Sequence, residues 1–199
     1  GKVVTSGPLT WTGGNISGGI QCNGGTVSTS ATKDLSGGQL INAGVLDFGA
    51  TVRTYYGSVI RNLAGGIFDL TTDAGTYYTG WGARGTIFNS GIFRKSGGSG
   101  VSGLAEAFNN DGTVQVGSGT LAFGGGGTST GLFNVAAGAE LNLSGGDHLM
   151  REGSSFSGAG NVRVSGGATT WAGNMSGCRL LVTGGTANVS TNASVNPSA

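Results

Sequence analysis

Short runs in which apolar and polar residues alternate recur along this chain, separated by glycine-rich turns. The clearest example lies at 107–131, where the runs 113–116 and 120–123 are followed by a Gly/Ser/Thr segment at 124–131, which predicts a loop. Strand side chains point to opposite faces with a period of two, so each run has the pattern of a short strand with one buried face. No stretch shows the helical 3.6-residue period, and glycine interrupts the chain about every ten residues. The pattern predicts an all-β protein.

A longer phrase organises these runs: two apolar residues, an Asn, a turn and an apolar strand. It recurs at five Asn positions: Asn42, Asn62, Asn89, Asn109 and Asn134. Counted on to Ser157, which takes the Asn place in the next copy, the steps are 20, 27, 20, 25 and 23 residues. Steps of this size correspond to single solenoid coils whose loops vary in length. We predict a right-handed parallel β-helix of about nine coils of 19–27 residues, with two or three strands per coil. The five Asn side chains should stack at one corner and hydrogen-bond along the axis.

Alignment of the strands that follow these phrases separates inward from outward positions. The second position of each strand is apolar and predicted to point inward: Leu46, Phe68, Phe93, Val114, Leu141, Val162 and Leu180. The third position is polar in every strand except at Leu181, and the inward fourth position is apolar in every strand except at Lys95. Because strand side chains alternate, this agreement sets the predicted register.

A second repeat is much longer. The segment TWTGGNISG at 10–18 returns as TWAGNMSG at 170–177, and Trp11 and Trp171 are 160 residues apart. We predict one β-solenoid domain over 1–199, containing a unit at about 10–169 and the start of a second at 170–199. No amphipathic helix caps either end, although isolated solenoids need capped ends. A tandem array that contains this chain, or end-to-end stacking of copies, would both satisfy that need.

Composition excludes several classes of protein. Gly is 44 of 199 residues, with only 2 Pro and no Gly-X-Y period, so collagen is excluded. A hydrophobic content of 37% is too high for a disordered linker. With 10% charged residues and a net charge of +1, no basic block is present for nucleic acid. No apolar run reaches the ~18–20 residues of a membrane span. The segment 124–131 lacks the GK[ST] ending of a phosphate loop, and no cofactor is expected.

Several phrases resemble the Gly-rich β-helical repeats of large bacterial surface and secreted proteins, of the adhesin and autotransporter-passenger kind. They are LSGGQLINAG, IFNSGIFRKSGGSG, FNNDGTVQVGSGTLAFGGGGTSTG and FSGAGNVRVSGG. The resemblance implies an extracellular, cell-surface protein built of tandem β-helical units. It carries no catalytic residues.

Three functions follow for such a chain. The leading hypothesis is a non-enzymatic structural module, a rigid stalk or stacked filament for adhesion or surface and matrix architecture. The second is a glycan-binding module with an exposed aromatic face, on which one Tyr of each pair points inward and the other outward: Tyr55, Tyr56, Tyr77, Tyr78 and Trp81. Flat aromatic faces with polar rims suit sugar stacking. The third is a polysaccharide lyase or hydrolase that uses Asp47 and Asp69, which share the outward third position in adjacent coils.

The single histidine and the two cysteines complete the candidate chemistry. His148 lies in DHLMRE without predictable partners from other coils, so we predict a surface-loop or strand-edge residue rather than a base or metal ligand. Cys22 and Cys178 fall in the second and ninth coils, about seven rises of ~4.8 Å apart. Bridged Cα atoms must lie within about 7 Å, so no intrachain disulfide is predicted.

Overall fold

The computed structural model describes residues 1–29, 31–190 and 193–196 and is built of short parallel strands. The predicted all-β solenoid is confirmed, with about nine turns and three strands in each coil. Within the described ranges the chain forms no helix, and therefore none that is long and apolar enough to cross a membrane. Nine steps at the ~4.8 Å strand spacing give a stack roughly 40 Å long.

The coil has three faces, and its strands are numbered in chain order. Face 1 is a ten-stranded sheet of β1 (Lys2–Val4), β4 (Gly19–Cys22), β7 (Gln39–Asn42), β10 (Val59–Asn62), β13 (Thr86–Asn89), β16 (Ala107–Asn110), β19 (Gly127–Ser129), β22 (Asp147–Met150), β25 (Ala168–Trp171) and β28 (Thr186–Val189). Face 2 is a second ten-stranded sheet of β2 (Leu9–Trp11), β5 (Gly25–Val27), β8 (Val45–Phe48), β11 (Ile67–Leu70), β14 (Ile92–Lys95), β17 (Thr113–Val116), β20 (Leu132–Val135), β23 (Ser155–Ser157), β26 (Asn174–Ser176) and β29 (Ser194–Asn196).

Face 3 is divided into two sheets. The first has four strands: β3 (Gly14–Ile16), β6 (Lys33–Ser36), β9 (Val52–Tyr55) and β12 (Thr76–Tyr78). The second has five: β15 (Val101–Leu104), β18 (Thr120–Phe123), β21 (Glu140–Leu143), β24 (Asn161–Val164) and β27 (Arg179–Val182). In the described part of the chain β12 and β15 are not paired, so face 3 is interrupted at this level of the stack.

The core is a column of side chains that stack from coil to coil. Phe68 and Phe93 are register partners on face 2, and their rings are stacked with centroids 4.9 Å apart. Phe108 of face 1 and Phe123 of face 3 continue the aromatic contacts with centroids 4.2 Å apart. Offset aromatic pairs at such distances contribute about 0.5–1.5 kcal/mol beyond area burial. The interior is thus held by contacts between successive coils as well as within each coil.

The predicted coil register holds for the first half of the chain and then slips. Leu46, Phe68, Phe93 and Val114 are register partners on face 2 as predicted. The next partner is Phe133 on β20, whereas Leu141, Val162 and Leu180 align with Leu121 on face 3. The phrase at 132–134 therefore lies on face 2 and not on face 1, where β19 takes its place without an apolar–Asn phrase. The predicted loop at 124–131 likewise contains β19, so that prediction was wrong in part.

The copies of the long repeat lie on different faces. Trp11 ends β2 on face 2, whereas Trp171 ends β25 on face 1. Both indoles are buried. Residues with the same place in the repeat are therefore displaced by one face of the three-sided coil.

The two inward lysines extend their amino groups to a corner of the coil. Lys95 is completely buried, and its Nζ donates to Asp73 Oδ1 at 2.8 Å and to the Gly97 carbonyl at 2.8 Å. Lys33 is also fully buried and donates to the Ala31 carbonyl at 2.7 Å. Both inward ammonium groups thereby reach hydrogen-bond acceptors, which buried charges require.

Candidate functional site

An asparagine ladder runs along the corner between faces 1 and 2. Asn42 donates to Asn62 Oδ1 at 2.9 Å, Asn62 to Asn89 Oδ1 at 2.9 Å, and Asn89 to Asn110 Oδ1 at 2.7 Å. All four side chains are buried. Each amide also donates to a backbone carbonyl, as Asn62 does at 2.9 Å to that of Ile92, the first residue of β14. The ladder therefore satisfies buried polar groups along the axis.

Two residues that were predicted to belong to the ladder lie outside it. Asn109 is half-buried and turned away from the core, and its Oδ1 accepts from the Thr128 amide at 3.0 Å. Asn134 lies exposed on face 2 and donates to Ser157 Oγ at 3.2 Å. The spacing to the next glycine would have identified Asn110: Asn42, Asn89 and Asn110 each stand two residues before a Gly.

The glycines of this corner form a second column beside the amides. A Cβ on Gly91 would lie 2.2 Å from the Gly66 carbonyl oxygen, and one on Gly112 would lie 2.2 Å from that of Gly91. Real Cβ atoms do not approach backbone so closely, so glycine is required here by the proximity of the neighbouring coil. Asn and Gly together build a corner at which successive coils stack closely.

The break in face 3 is spanned by the side chain of Glu106. Its carboxyl group accepts hydrogen bonds from the hydroxyls of Thr54 on β9 and Thr76 on β12. Glu106 is 1% exposed, and the Ala105 amide donates to the Thr76 hydroxyl at 3.1 Å. Side-chain hydrogen bonds thus connect the two parts of face 3 where backbone pairing is missing. No sequence pattern identified Glu106, because it lies in a turn outside the alternating runs.

The aromatic candidates lie beside this break, and the structure separates them into two groups. Tyr55, Tyr56 and Trp81, together with Arg53 and Thr79, line an open groove of about 230 Å³. The rings of Tyr55 and Tyr56 meet edge to face with centroids 5.4 Å apart. We call these five residues the aromatic groove.

The other two tyrosines lie outside the aromatic groove. Tyr77 is 60% exposed on the outer side of β12. Tyr78 lies under the Arg84 guanidinium, which is 5.2 Å from its ring centroid, and its hydroxyl donates to the Gly82 carbonyl. The prediction that one Tyr of each pair points inward was wrong for the first pair, since neither Tyr55 nor Tyr56 is buried. In the second pair, Tyr78 is half-buried as the register partner of the inward Thr54. The buried residues of β9 and β12 are Val52, Thr54 and Thr76, and the hydroxyls of the two threonines bind Glu106.

The carboxylate pair lies where the register predicted it, in an outward stripe with Arg94. Asp69 is the register partner of both Asp47 and Arg94. Its Oδ2 forms an ion pair with Arg94 at 2.6 Å, and the hydrogen bond to Asp69 raises the pKa of Arg94. Asp69 is buried beneath this contact, whereas Asp47 is exposed. The Asp69 carboxylate is therefore engaged by a guanidinium of the next coil.

His148 is buried, which corrects the prediction of a surface residue. It points inward from β22, and one ring nitrogen lies 3.1 Å from the Gly145 carbonyl oxygen. Desolvation by burial lowers the pKa of His148 below its usual value. The alternation of β22, with Met150 also inward, is the signal that places it inside.

Both cysteines are free and buried in separate coils. Cys22 ends β4, and Cys178 directly precedes β27 near the opposite end of the stack. The Cys178 thiol donates to the Ser157 carbonyl at 3.0 Å. Burial raises the pKa of both thiols, which keeps them in the less reactive thiol form.

Among the described residues, no group of three or more His, Cys, Asp or Glu side chains is arranged to hold a metal ion. No protein-family model, curated protein or solved structure matches this chain. The geometry itself defines the class of fold, a three-faced parallel β-solenoid with one irregular level beside the aromatic groove.

Proposed function

We propose that this chain is a rigid structural segment of a bacterial surface or secreted protein, forming a stalk or an end-to-end stacked filament in adhesion or surface architecture. The observation that carries this proposal is the pair of ten-stranded parallel sheets that run through the whole stack. In such sheets every interior strand pairs with the coils on both sides, which resists bending and shear along the axis.

Three further features support this role. The Asn ladder and the stacked phenylalanines add contacts between coils at the corner and in the core. The low charge, 10% of residues, suits an inert rod. The resemblance of the Gly-rich phrases to adhesin and autotransporter-passenger repeats is the basis for the extracellular location.

Small-angle scattering with electron microscopy of the purified chain tests the structural proposal. We expect particles with one long dimension of roughly 40 Å, or fibres with a smooth rod cross-section if copies stack end to end. A globular particle without a long axis would contradict the rod. Surface labelling of intact source cells with an antibody against the chain tests the location, and labelling only after lysis would contradict it.

The aromatic groove favours glycan binding as a second candidate function. Trp81 and Tyr56 are 67% and 55% exposed and lie together in the groove, and contiguous exposed apolar patches commonly mark contact surfaces. A rod can carry such a site, so the two functions are compatible. Binding of glycans that is lost in Tyr55→Ala but kept in Tyr77→Ala would support this candidate.

We propose no enzymatic role. The Asp47–Asp69 pair is the candidate catalytic pair with which this part of the proposal can be tested. Arg94 forms an ion pair with Asp69 at 2.6 Å, so one carboxylate oxygen of the pair is already engaged by the protein itself. Cleavage of a polysaccharide panel by the wild-type chain, abolished in Asp69→Asn, would contradict the proposal.

A further inference from the structure

The aromatic groove is a built feature of the widest coil. The segment between β12 and β13 leaves the regular coil path, and its backbone pairs with the end of β9 instead: the Tyr56 amide donates to the Trp81 carbonyl at 3.0 Å, and the Gly57 amide donates to the Ala83 carbonyl at 2.7 Å. These two bonds hold Trp81 beside the tyrosines. The groove therefore has a backbone scaffold of its own.

The backbone at Tyr56 takes a conformation that a tyrosine rarely adopts. Its φ is 55°, which makes Tyr56 the one non-glycine residue with positive φ in the described part of the chain. A Cβ on Gly82 would lie 2.4 Å from Tyr56 Cδ1, so the Tyr56 ring rests directly on the Gly82 backbone. Strained residues cluster at binding sites, where surrounding structure holds a side chain in a required orientation. Here the strain presents an aromatic ring at the rim of the groove.

Thr79 also lines the groove, but its Oγ1 is buried beneath the surface and is out of reach of a ligand that lies in the groove. The contacts that the groove offers are therefore the aromatic rings and the half-exposed guanidinium of Arg53.

Charge in the groove is already neutralised. Arg53 donates from Nε to Asp34 Oδ1 at 2.7 Å and from Nη2 to Asp34 Oδ2 at 2.8 Å. This two-point contact holds the guanidinium in place and offsets its charge. An anionic ligand would have to compete with Asp34, whereas a neutral ligand would not.

We propose that the aromatic groove binds one neutral pyranose ring of a glycan, which stacks on Trp81 and the two tyrosines. A pyranose has an apolar C–H face that matches an aromatic ring, and its edge carries hydroxyls that match the half-exposed Arg53 at the rim. An extended peptide fits less well, because the Tyr56 and Gly57 amides are already bonded to the 81–83 segment. This inference deepens the glycan-binding candidate and is independent of the rod.

Tryptophan fluorescence gives a direct readout of the site. Of the three Trp residues, Trp11 and Trp171 are at most 5% exposed and Trp81 is 67% exposed. Acrylamide quenching therefore reports mainly on Trp81. The probes are methyl glycosides of neutral hexoses and N-acetylhexosamines, with glucuronic acid as the charged probe. We expect at least one neutral probe to protect Trp81 from quenching in a saturable manner, and glucuronic acid to protect it less.

Matched variants assign the binding to the groove by calorimetry and saturation-transfer NMR. Trp81→Ala and Tyr55→Ala should abolish binding, whereas Tyr77→Ala, an exposed tyrosine outside the groove, should keep it.

Three outcomes would overturn the inference. They are absence of saturable binding across the whole neutral panel, equal binding in Trp81→Ala and the wild type, or tighter binding of glucuronic acid than of every neutral probe. A scattering profile of a rod combined with any of these results would leave the structural role standing and remove only the sugar site.

Discussion

The corner between faces 1 and 2 and the broken level of face 3 are built from the same coil but by opposite means. At the corner, Asn and Gly recur over the four coils of the ladder, and Asn62 and Gly91 contact their counterparts directly. At the break, the contacts follow no repeat: Glu106 binds two threonines, and Trp81 and Ala83 bond to the end of β9. The repeated residues stabilise the corner, whereas the irregular level at the break exposes the candidate binding residues.

This difference explains where each kind of residue is tolerated. A ladder residue must satisfy the coil below and the coil above, so any substitution disturbs two interfaces. A residue in the loop beside β12 has to satisfy one interface and leaves its other side to solvent. Candidate binding residues therefore accumulate at the interrupted level, where Tyr56 and Trp81 are both more than half exposed.

The largest expected effect comes from the glycine column. Gly91→Ala places a Cβ 2.2 Å from the Gly66 carbonyl oxygen and 2.5 Å from the Leu63 carbonyl oxygen. The coils would have to separate locally, and we expect a loss of about 3 kcal/mol or more in the free energy of unfolding, measured by urea denaturation. Gly103→Ala is the matched control, because nothing lies within 4 Å of a Cβ there. Equal effects of the two substitutions would contradict the close stacking at the corner.

Removal of one amide from the ladder should have the next largest effect. Asn62→Ala leaves the Asn42 and Asn89 amides without their shared partner and removes the bond to the Ile92 carbonyl. Buried groups without partners cost about 1–3 kcal/mol, so we expect a loss of about 3 kcal/mol in unfolding free energy. Asn109→Ala should cost less than about 1 kcal/mol, since Asn109 lies outside the ladder. A larger loss in Asn109→Ala than in Asn62→Ala would favour a ladder that contains Asn109 instead of Asn110.

Loss of the Glu106 carboxyl group should destabilise the interrupted level of face 3. Glu106→Leu leaves the hydroxyls of Thr54 and Thr76 buried without that acceptor, and we expect a loss of about 2 kcal/mol in thermal or urea unfolding. Addition of Thr54→Val should recover part of the loss, because replacing both partners of a buried hydrogen bond by apolar groups is often close to neutral. If the double variant is less stable than Glu106→Leu alone, the hydroxyl–carboxyl contact is not what holds the break.

The smallest effect is expected from His148 and depends on pH. Burial lowers its pKa in the folded chain, so the unfolded chain binds the proton more readily. The contribution of neutral His148 is fully present above the ordinary pKa of about 6.5 and is lost as pH falls below it, until the folded-state pKa is reached. Urea unfolding between about pH 5 and about pH 7.5 should show this decline in the wild type and a flatter profile in His148→Leu. Identical slopes would contradict the buried position.

The alternation of apolar and polar residues predicted the fold because every coil of a solenoid has to bury one side of its strands in the same core. Val114, for example, is predicted to point inward and is buried in the structure. The coil register was lost later, at β19, which has no apolar–Asn phrase. At the two consecutive asparagines the ladder position was misplaced by one residue, although Phe108 points inward and alternation then places Asn110 inward. The Asn-x-Gly spacing resolves this, since the glycine has to lie where the next coil comes closest.

The candidate site was less predictable than the fold. The sequence showed that Tyr55, Tyr56 and Trp81 were unusual, but it assigned Tyr77 and Tyr78 to the same face. The structure separates the two groups because the 79–85 segment leaves the coil path and because Tyr56 has a positive φ. No periodic pattern in the sequence predicts either feature. Glu106 had no signal at all, because its role arises from contacts with Thr54 and Thr76, which belong to other coils.

Hydrogen exchange on the intact chain tests the contrast between the two regions most directly. Amides of β11, β14 and β17 on face 2 pair with coils on both sides and should exchange slowly. Amides of β12 and the 79–85 segment, which lie beside the break in face 3, should exchange markedly faster. Uniform protection through all three faces, or slower exchange at 79–85 than in β14, would contradict the division of the solenoid into a continuous stack and one interrupted level.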